Sequence, residues 1–269
     1  MSELTELHRE GSGTPIVLLH GLNGSWRIWR PVFPLLSKNH EVIALTMAGH
    51  RGGTAIPAGP VSIGALADDM EARLDAAGIK RAHLVGNSLG GWLSLELAQR
   101  GRGLSVVAFA PAGCWTKPRD LARVGRLLRL ARSSNRPFVH RLTKRPGVRK
   151  AMFRQAMDRA DLIPMEDMTA MFEDLAECTI LDGLLQNLAT TGSLASMTIP
   201  DDCPVRLVWP MKDRTIPWER YGVPYTKLLP KVDLVRLTGA GHVPIYDNPE
   251  LVARTVLEFT DKAEAGAAA

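Results

Sequence analysis

The chain has 269 residues, 45% of them hydrophobic, with a formal net charge of +5, 24 glycines, 18 prolines and three cysteines. That length and apolar content suit one large α/β domain or a domain with an insertion, and ordinary Gly and Pro usage excludes a collagenous or wholly disordered chain. Cys114, Cys178 and Cys203 are odd in number and widely spaced; they fit neither a disulfide framework nor a zinc pattern and read as thiols in a reducing compartment.

The opening stretch MSELTELHREGSG lacks the apolar core of a secretory signal. No segment approaches about eighteen uninterrupted apolar residues, so a soluble, cytoplasmic protein is expected. Residues 6–10 are expected as an antiparallel edge strand that turns back through Gly11, Ser12 and Gly13. Residues 14–20 (TPIVLLH) and 41–46 (EVIALT) read as buried strands bounded by turns. Between them a helix opens at a Ser25 cap and spaces Trp26, Ile28, Trp29, Phe33 and Leu36 at helical intervals. Residues 62–77 place Ile63, Leu66, Met70 and Leu74 on one helical face and stop at Gly78.

A third strand at residues 81–85 is followed by a helix at 89–99, and further strands are expected at 105–110, 205–209 and 232–237. A last helix runs from Pro249 to about Lys262, leaving residues 263–269 as a frayed, disordered tail. Alternating strands and helices imply a mostly parallel sheet covered on both faces. From 114 to 199 the alternation breaks into helical patterns interrupted by Pro118, Pro137, Pro146 and Pro164. A helical lid inserted at 114–199 is therefore expected in a core made of 1–113 and 200–262.

The chemistry gathers at strand ends. Gly86-Asn87-Ser88-Leu89-Gly90 matches G-x-S-x-G where a predicted strand meets a predicted helix, the setting in which a sharp turn exposes a serine hydroxyl. Taken alone, Ser88 is a turn serine; its position at the start of a helix puts a backbone N–H and a partial positive charge beside it. His20-Gly21-Leu22-Asn23-Gly24-Ser25 ends the early strand, Asp213 follows a late strand in WPMKDRTIP, and His242 follows the last strand in GAGHVPIYDNPE. Asp201 and Asp202 precede their strand, and Asp247 reads as the cap of the last helix, so Asp213 is the preferred acid.

These four pieces, in this order, resemble the α/β-hydrolase superfamily over essentially the whole chain. The resemblance implies an α/β-hydrolase fold with Ser88 as nucleophile, His242 as base and Asp213 as its acid partner. It further implies an oxyanion hole at the N–H groups of Leu22 and Leu89, with His20, Gly21, Gly86 and Gly90 as supporting residues and no proton-transfer role for His20. Where many relatives carry D-x-x-G-x-G-x-S, this chain has Met47-Ala48-Gly49-His50-Arg51-Gly52-Gly53 after Thr46, a departure that leaves the triad intact.

A serine at the elbow argues against dehalogenase and epoxide-hydrolase chemistry, for which the family uses aspartate there. The preferred reading is a serine hydrolase cleaving carboxylic esters of a mainly apolar, small or medium substrate. Carbon–carbon hydrolysis of dienoate-type ketones is the alternative, although HGLNGS lacks the Gly-Pro-Gly often seen in those relatives. Thioesterase, lactonase and perhydrolase chemistry stay open, as does a receptor that kept the triad, as some plant hormone sensors did. No cofactor or metal is expected, because no GxGxxG, Walker-type loop or ligand cluster occurs.

Residues 117–150 hold twelve Lys/Arg and one acid, Asp120, and DLARVGRLLRLAR reads as an amphipathic basic helix. A solvated lid surface with its apolar stripe turned inward is the preferred reading. A membrane-surface contact or attraction of anionic ligands are the functional ones. Nucleic-acid binding is not expected, since no recognition module accompanies the charge. Met152, Met157, Met165, Met168 and Met171 read as lid core that also lines an adaptable pocket. Trp115, Trp209 and Trp218 are expected to add apolar walls.

Overall fold

The computed structural model describes residues 5–56 and 58–267. Seven strands, β1 (Leu7–Glu10), β2 (Pro15–Leu19), β3 (Glu41–Leu45), β4 (Ala82–Asn87), β5 (Gly103–Phe109), β6 (Val205–Pro210) and β7 (Asp233–Leu237), form one sheet in the order β1-β3-β2-β4-β5-β6-β7. Only β1 is antiparallel, pairing Leu7 with Leu45 and Glu10 with Val42.

The period of two explains why short apolar runs suffice. On β2, Val17 and Leu19 enter one core cluster while Ile16 and Leu18 enter the other. On β5, Val106 and Ala108 face one side, and Val107 and Phe109 the other. With both faces covered, the central strands read as continuous apolar runs rather than alternating ones.

Helices α1 (Phe33–Leu36), α2 (Ile63–Ala76) and α3 (Leu89–Gln99) alternate with the first strands. Ser25 caps a 3-10 turn at Trp26–Val32 that leads into α1, and the Ser62 hydroxyl caps α2 by accepting from Ala65 N at 3.1 Å. Between β5 and β6 lie α4 (Pro118–Arg132), α5 (Pro137–Thr143), α6 (Pro146–Phe153), α7 (Met165–Ala176) and α8 (Leu181–Thr191). Each of the four predicted interrupting prolines opens or immediately precedes a helix. There its fixed φ and missing N–H are harmless.

Three core arginines seat this insertion. Arg27 bonds Asp174, Arg30 approaches Asp167 at 3.0 Å, and Arg51 holds Glu173 at 2.6 Å and Glu177 at 2.9 Å.

After β6 come α9 (Trp218–Leu228), α10 (Pro244–Asp247) and α11 (Pro249–Ala267). Helix α9 goes beyond the sequence reading: Pro224 hides it, yet Tyr221, Gly222 and Tyr225 bury one face. The expected tail needs correction as well. Helix α11 continues through residue 267, and Glu264 lies 3.2 Å from buried His83 on β4, a polar anchor that composition does not reveal. Residues 268–269 of that tail lie outside the described residues. Asp247 does not cap α11; Asn248 does, its side chain accepting from Leu251 N at 2.9 Å.

Candidate active site

Strand β4 ends at Asn87 and α3 begins at Leu89, so Ser88 alone makes the turn, with φ +56° and ψ −115°. That left-handed conformation is strained for a serine and persists because its surroundings fix it. Ser88 N donates to Phe109 O at 2.9 Å, and Ser88 O accepts from Ala112 N at 2.9 Å. The flanking glycines are steric requirements. A Cβ at Gly86 would sit 2.1 Å from Gly90 O, and one at Gly90 would sit 2.0 Å from Leu19 O.

Asp213, on the loop after β6, and His242, on the loop after β7, are both buried and meet through His242 Nδ1 and Asp213 Oδ2 at 2.7 Å. The other carboxylate oxygen accepts from Thr215 N at 2.9 Å and Ile216 N at 2.8 Å. With Nδ1–H given to the carboxylate, Nε2 is the ring nitrogen left to take a proton. Ser88 and His242 border one cavity, and no hydrogen bond joins the two side chains among the described residues.

Leu22 and Leu89 also border that cavity, and neither N–H has a hydrogen-bond acceptor among the described residues. Leu89 is the first residue of α3, where an N–H has no intrahelical partner. Gly21 packs against Ser88, with room for a Cβ only 3.4 Å from the serine's own.

His20 is wholly buried. Its Nδ1–H donates to Gly21 O at 2.8 Å and its Nε2 accepts from Met47 N at 2.9 Å, tying the loop after β2 to the loop after β3. Burial, reinforced by neighbouring His50, holds its pKa well below the ordinary histidine range, so the ring stays neutral.

The cavity measures about 480 Å³ and runs beneath α4 and α7, with Leu121, Val124 and Leu128 on one side and Met171 and Phe172 on another. Met152 and Met157 line it, whereas Met168 packs in the insertion's own core. Trp115 forms part of the wall as expected. Trp209 and Trp218 do not: they pack on each other, 5.3 Å between centroids, behind the site. Trp92, not singled out from sequence, supplies the second indole. Cys114 borders the cavity too, but burial pushes its thiol up to about 12, so it stays protonated at neutral pH.

Several supporting residues escape sequence reasoning because each acts through backbone groups distant in the chain. The Asn87 amide donates to His242 O at 2.9 Å and Phe109 O at 3.2 Å, fastening the histidine loop to the elbow. The Asp247 carboxylate accepts from Gly241 N at 2.7 Å, Asp158 N at 2.9 Å and Arg159 N at 2.7 Å. Val243 N donates to Ala156 O at 2.8 Å, and Thr215 Oγ1 donates to Gln155 O at 2.9 Å. Within the cavity wall, Asp174 accepts from Ser25 Oγ at 2.6 Å and pairs with Arg27; burial pushes its carboxyl up against the pull of both partners.

Comparison with known proteins agrees with this arrangement of strands and loops. The epoxide hydrolase EphH of Mycobacterium tuberculosis is 31% identical over 222 residues, covering 75% of this chain and 96% of that protein. The 2-hydroxy-6-oxo-2,4-heptadienoate hydrolase of Pseudomonas putida is 42% identical over 100 residues, 36% of each chain. An esterase structure from Thermogutta terrifontis superposes with a TM-score of 0.71 at 20% identity, covering 96% of this chain and 93% of that one, a likeness of fold alone. The model of the alpha/beta hydrolase family matches residues 16–255, and the chain belongs to that family.

Proposed function

We propose that this protein is a serine hydrolase that cleaves carboxylic esters of a mainly apolar, small or medium substrate through an acyl-enzyme. The observation that carries the reading is the His242–Asp213 pair and the strained Ser88 bordering one apolar cavity. His242 Nε2 takes the Ser88 proton as Oγ attacks the ester carbonyl, and returns it to the leaving alkoxide. Asp213 holds the tautomer and stabilises the imidazolium. The free N–H groups of Leu22 and Leu89 receive the oxyanion, and one such donor is worth about 3–4 kcal/mol in the transition state. Water, activated by the same histidine, then releases the acid.

Chemistry separates this reading from those suggested by the relatives. Opening an epoxide with Ser88 would leave an alkyl ether on the enzyme, which water attack at a carbonyl cannot release. A carboxylate at that position would leave a hydrolysable ester. Carbon–carbon hydrolysis of a dienoate is the second reading, favoured by the similarity to the heptadienoate hydrolase. A dienoate carboxylate needs a cation, and Arg27, which borders the cavity, is already committed to Asp174 and Glu173. The cytoplasm is proposed as the compartment, supported by three free, buried cysteines.

The test is hydrolysis of chromogenic esters of increasing acyl length by wild type and Ser88→Ala, beside a dienone substrate. Turnover of esters lost by at least about 1,000-fold in a folded Ser88→Ala supports the reading. Ester turnover retained in that variant, or a wild type that cleaves only the dienone, overturns it.

A further inference from the structure

The insertion supplies much of the cavity wall. Two residues that line it carry exposed apolar side chains, Leu130 on α4 (66% exposed) and Met152 on α6 (38% exposed). Phe138, on the short helix α5 between them in the chain, is 69% exposed. A phenyl ring and a leucine left in water on successive helices of the insertion mark a surface with an unfilled partner rather than scattered exposure.

The charge around these residues is one-sided. Arg119, Arg126, Arg136, Arg141, Lys144 and Arg145 are all exposed, and none has a carboxylate within 4.0 Å among the described residues. The insertion does contain acids, but they are turned elsewhere. Asp167, Asp174, Glu173 and Glu177 engage core arginines, and Asp182 takes Arg129 and Arg132. Arg119, Arg126 and Leu130 recur at intervals of seven and four, so one outer face of α4 carries two free cations and an apolar tip.

We propose that this face, α4 to α6, docks on an anionic lipid bilayer, with Leu130 and Phe138 entering the headgroup layer and the arginines and lysines meeting lipid phosphates. Charge complementarity selects the occupant. A bilayer surface offers both a sheet of negative charge and an apolar layer a few ångströms below it, and basic side chains interleaved with apolar tips match that pair. Docking would turn the mouth of the apolar cavity toward the lipid, so substrates dissolved in the bilayer would reach Ser88 without crossing water. The docking itself does not depend on which bond is cleaved.

The experiment is co-sedimentation of the full chain with vesicles of phosphatidylcholine alone and of phosphatidylcholine with phosphatidylglycerol, at low and high salt. Wild type, Arg136→Glu/Arg141→Glu and Phe138→Ser are compared, with far-UV circular dichroism and melting curves verifying that each is folded. The expected result is retention on the anionic vesicles only, lost at high salt, reduced about tenfold or more by the double charge reversal and severalfold by Phe138→Ser. Absence of retention at low salt overturns the proposal, as does equal retention of the charge-reversed protein. Phe138→Ser without effect, or duplex DNA competing as well as anionic vesicles do, makes the face a general polyanion surface and overturns it too.

Discussion

Replacing Asp247 by Ala removes one carboxylate and leaves three backbone donors, the buried one of Gly241 and the partly buried ones of Asp158 and Arg159, without their acceptor. Hydrogen bonds to an ionised group contribute about 1.5–3 kcal/mol each, and three that share one carboxylate do not add fully, so the loss is about 4 kcal/mol. For a chain of this length each kcal/mol lowers Tm by about 2 °C, giving a fall of about 8 °C. Asp247→Asn, which keeps the volume and one acceptor oxygen, should lose about half as much. Because Gly241 precedes His242 directly, the proposed mechanism expects the same substitution to lower kcat more than it raises KM: substrate would still enter the cavity, while His242, the proposed base, would lose its support. Differential scanning fluorimetry and ester kinetics on both variants check this. A Tm within about 2 °C of wild type for Asp247→Ala, with kcat unchanged, would refute the clamp.

Asp213→Asn should keep the Thr215 and Ile216 hydrogen bonds on Oδ1 while spoiling the bond to His242 Nδ1; kcat should fall by about 10,000-fold with little change in Tm. Gly90→Ala would press a methyl group 2.0 Å from Leu19 O and 2.5 Å from His20 O, both backbone atoms of the central sheet and its following loop. It should cost at least about 3 kcal/mol and yield insoluble protein, as a solubility assay would show.

Stability should also fall on acidification from neutral pH. Burial holds His50 down at about 4, against an ordinary 6.5. Between these values the unfolded chain binds the extra proton, so His50's contribution is fully present above pH 6.5 and is lost as pH drops through that window. That amounts to about 2 kcal/mol at pH 5. His20, also held down by burial, adds with the same sign. In denaturant melts at pH 7 and pH 5, His50→Gln should shrink the difference by about that amount; an unchanged difference would contradict the assignment.

Much of the sheet could be read from the chain because its strands are buried on both faces. PIVLL and EVIAL announce themselves without context, and the paired glycines around Ser88 record a steric demand that only glycine meets. Chain order and their places after strands singled out Asp213 and His242, whose side chains the fold brings together at 2.7 Å. What stayed hidden depends on distant backbone. Asp247 looked like a helix cap because DNPE is good capping sequence, but Asn248 took that role and freed Asp247 to face residues 158 and 159. Helix α9 was obscured by Pro224, whose disruption is offset by the burial of Tyr221 and Tyr225. The last turns of α11 were masked by an alanine-rich composition, and one glutamate reaching His83 holds them.

Residues 154–159 hold the loops that carry Asp213 and His242: Arg214 and Thr215 donate to the backbone carbonyls of Arg154 and Gln155, Val243 N donates to Ala156 O, and Lys212 Nζ donates to the Asp158 carboxylate at 2.5 Å. These six residues lie in the middle of the insertion yet belong mechanically to the core. A chimaera that exchanged the whole segment between β5 and β6 for a relative's would arrive with its acid and histidine loops unsupported, however well the new helices packed. The two flanks, residues 118–153 and 160–191, are tied down at fewer points: Arg123 of α4 donates to Thr215 O at 2.7 Å and Arg214 O at 2.6 Å, and Asp167, Glu173, Asp174 and Glu177 take the core arginines, so a graft of either flank that keeps these residues should change what enters the cavity while leaving the loops beneath it supported.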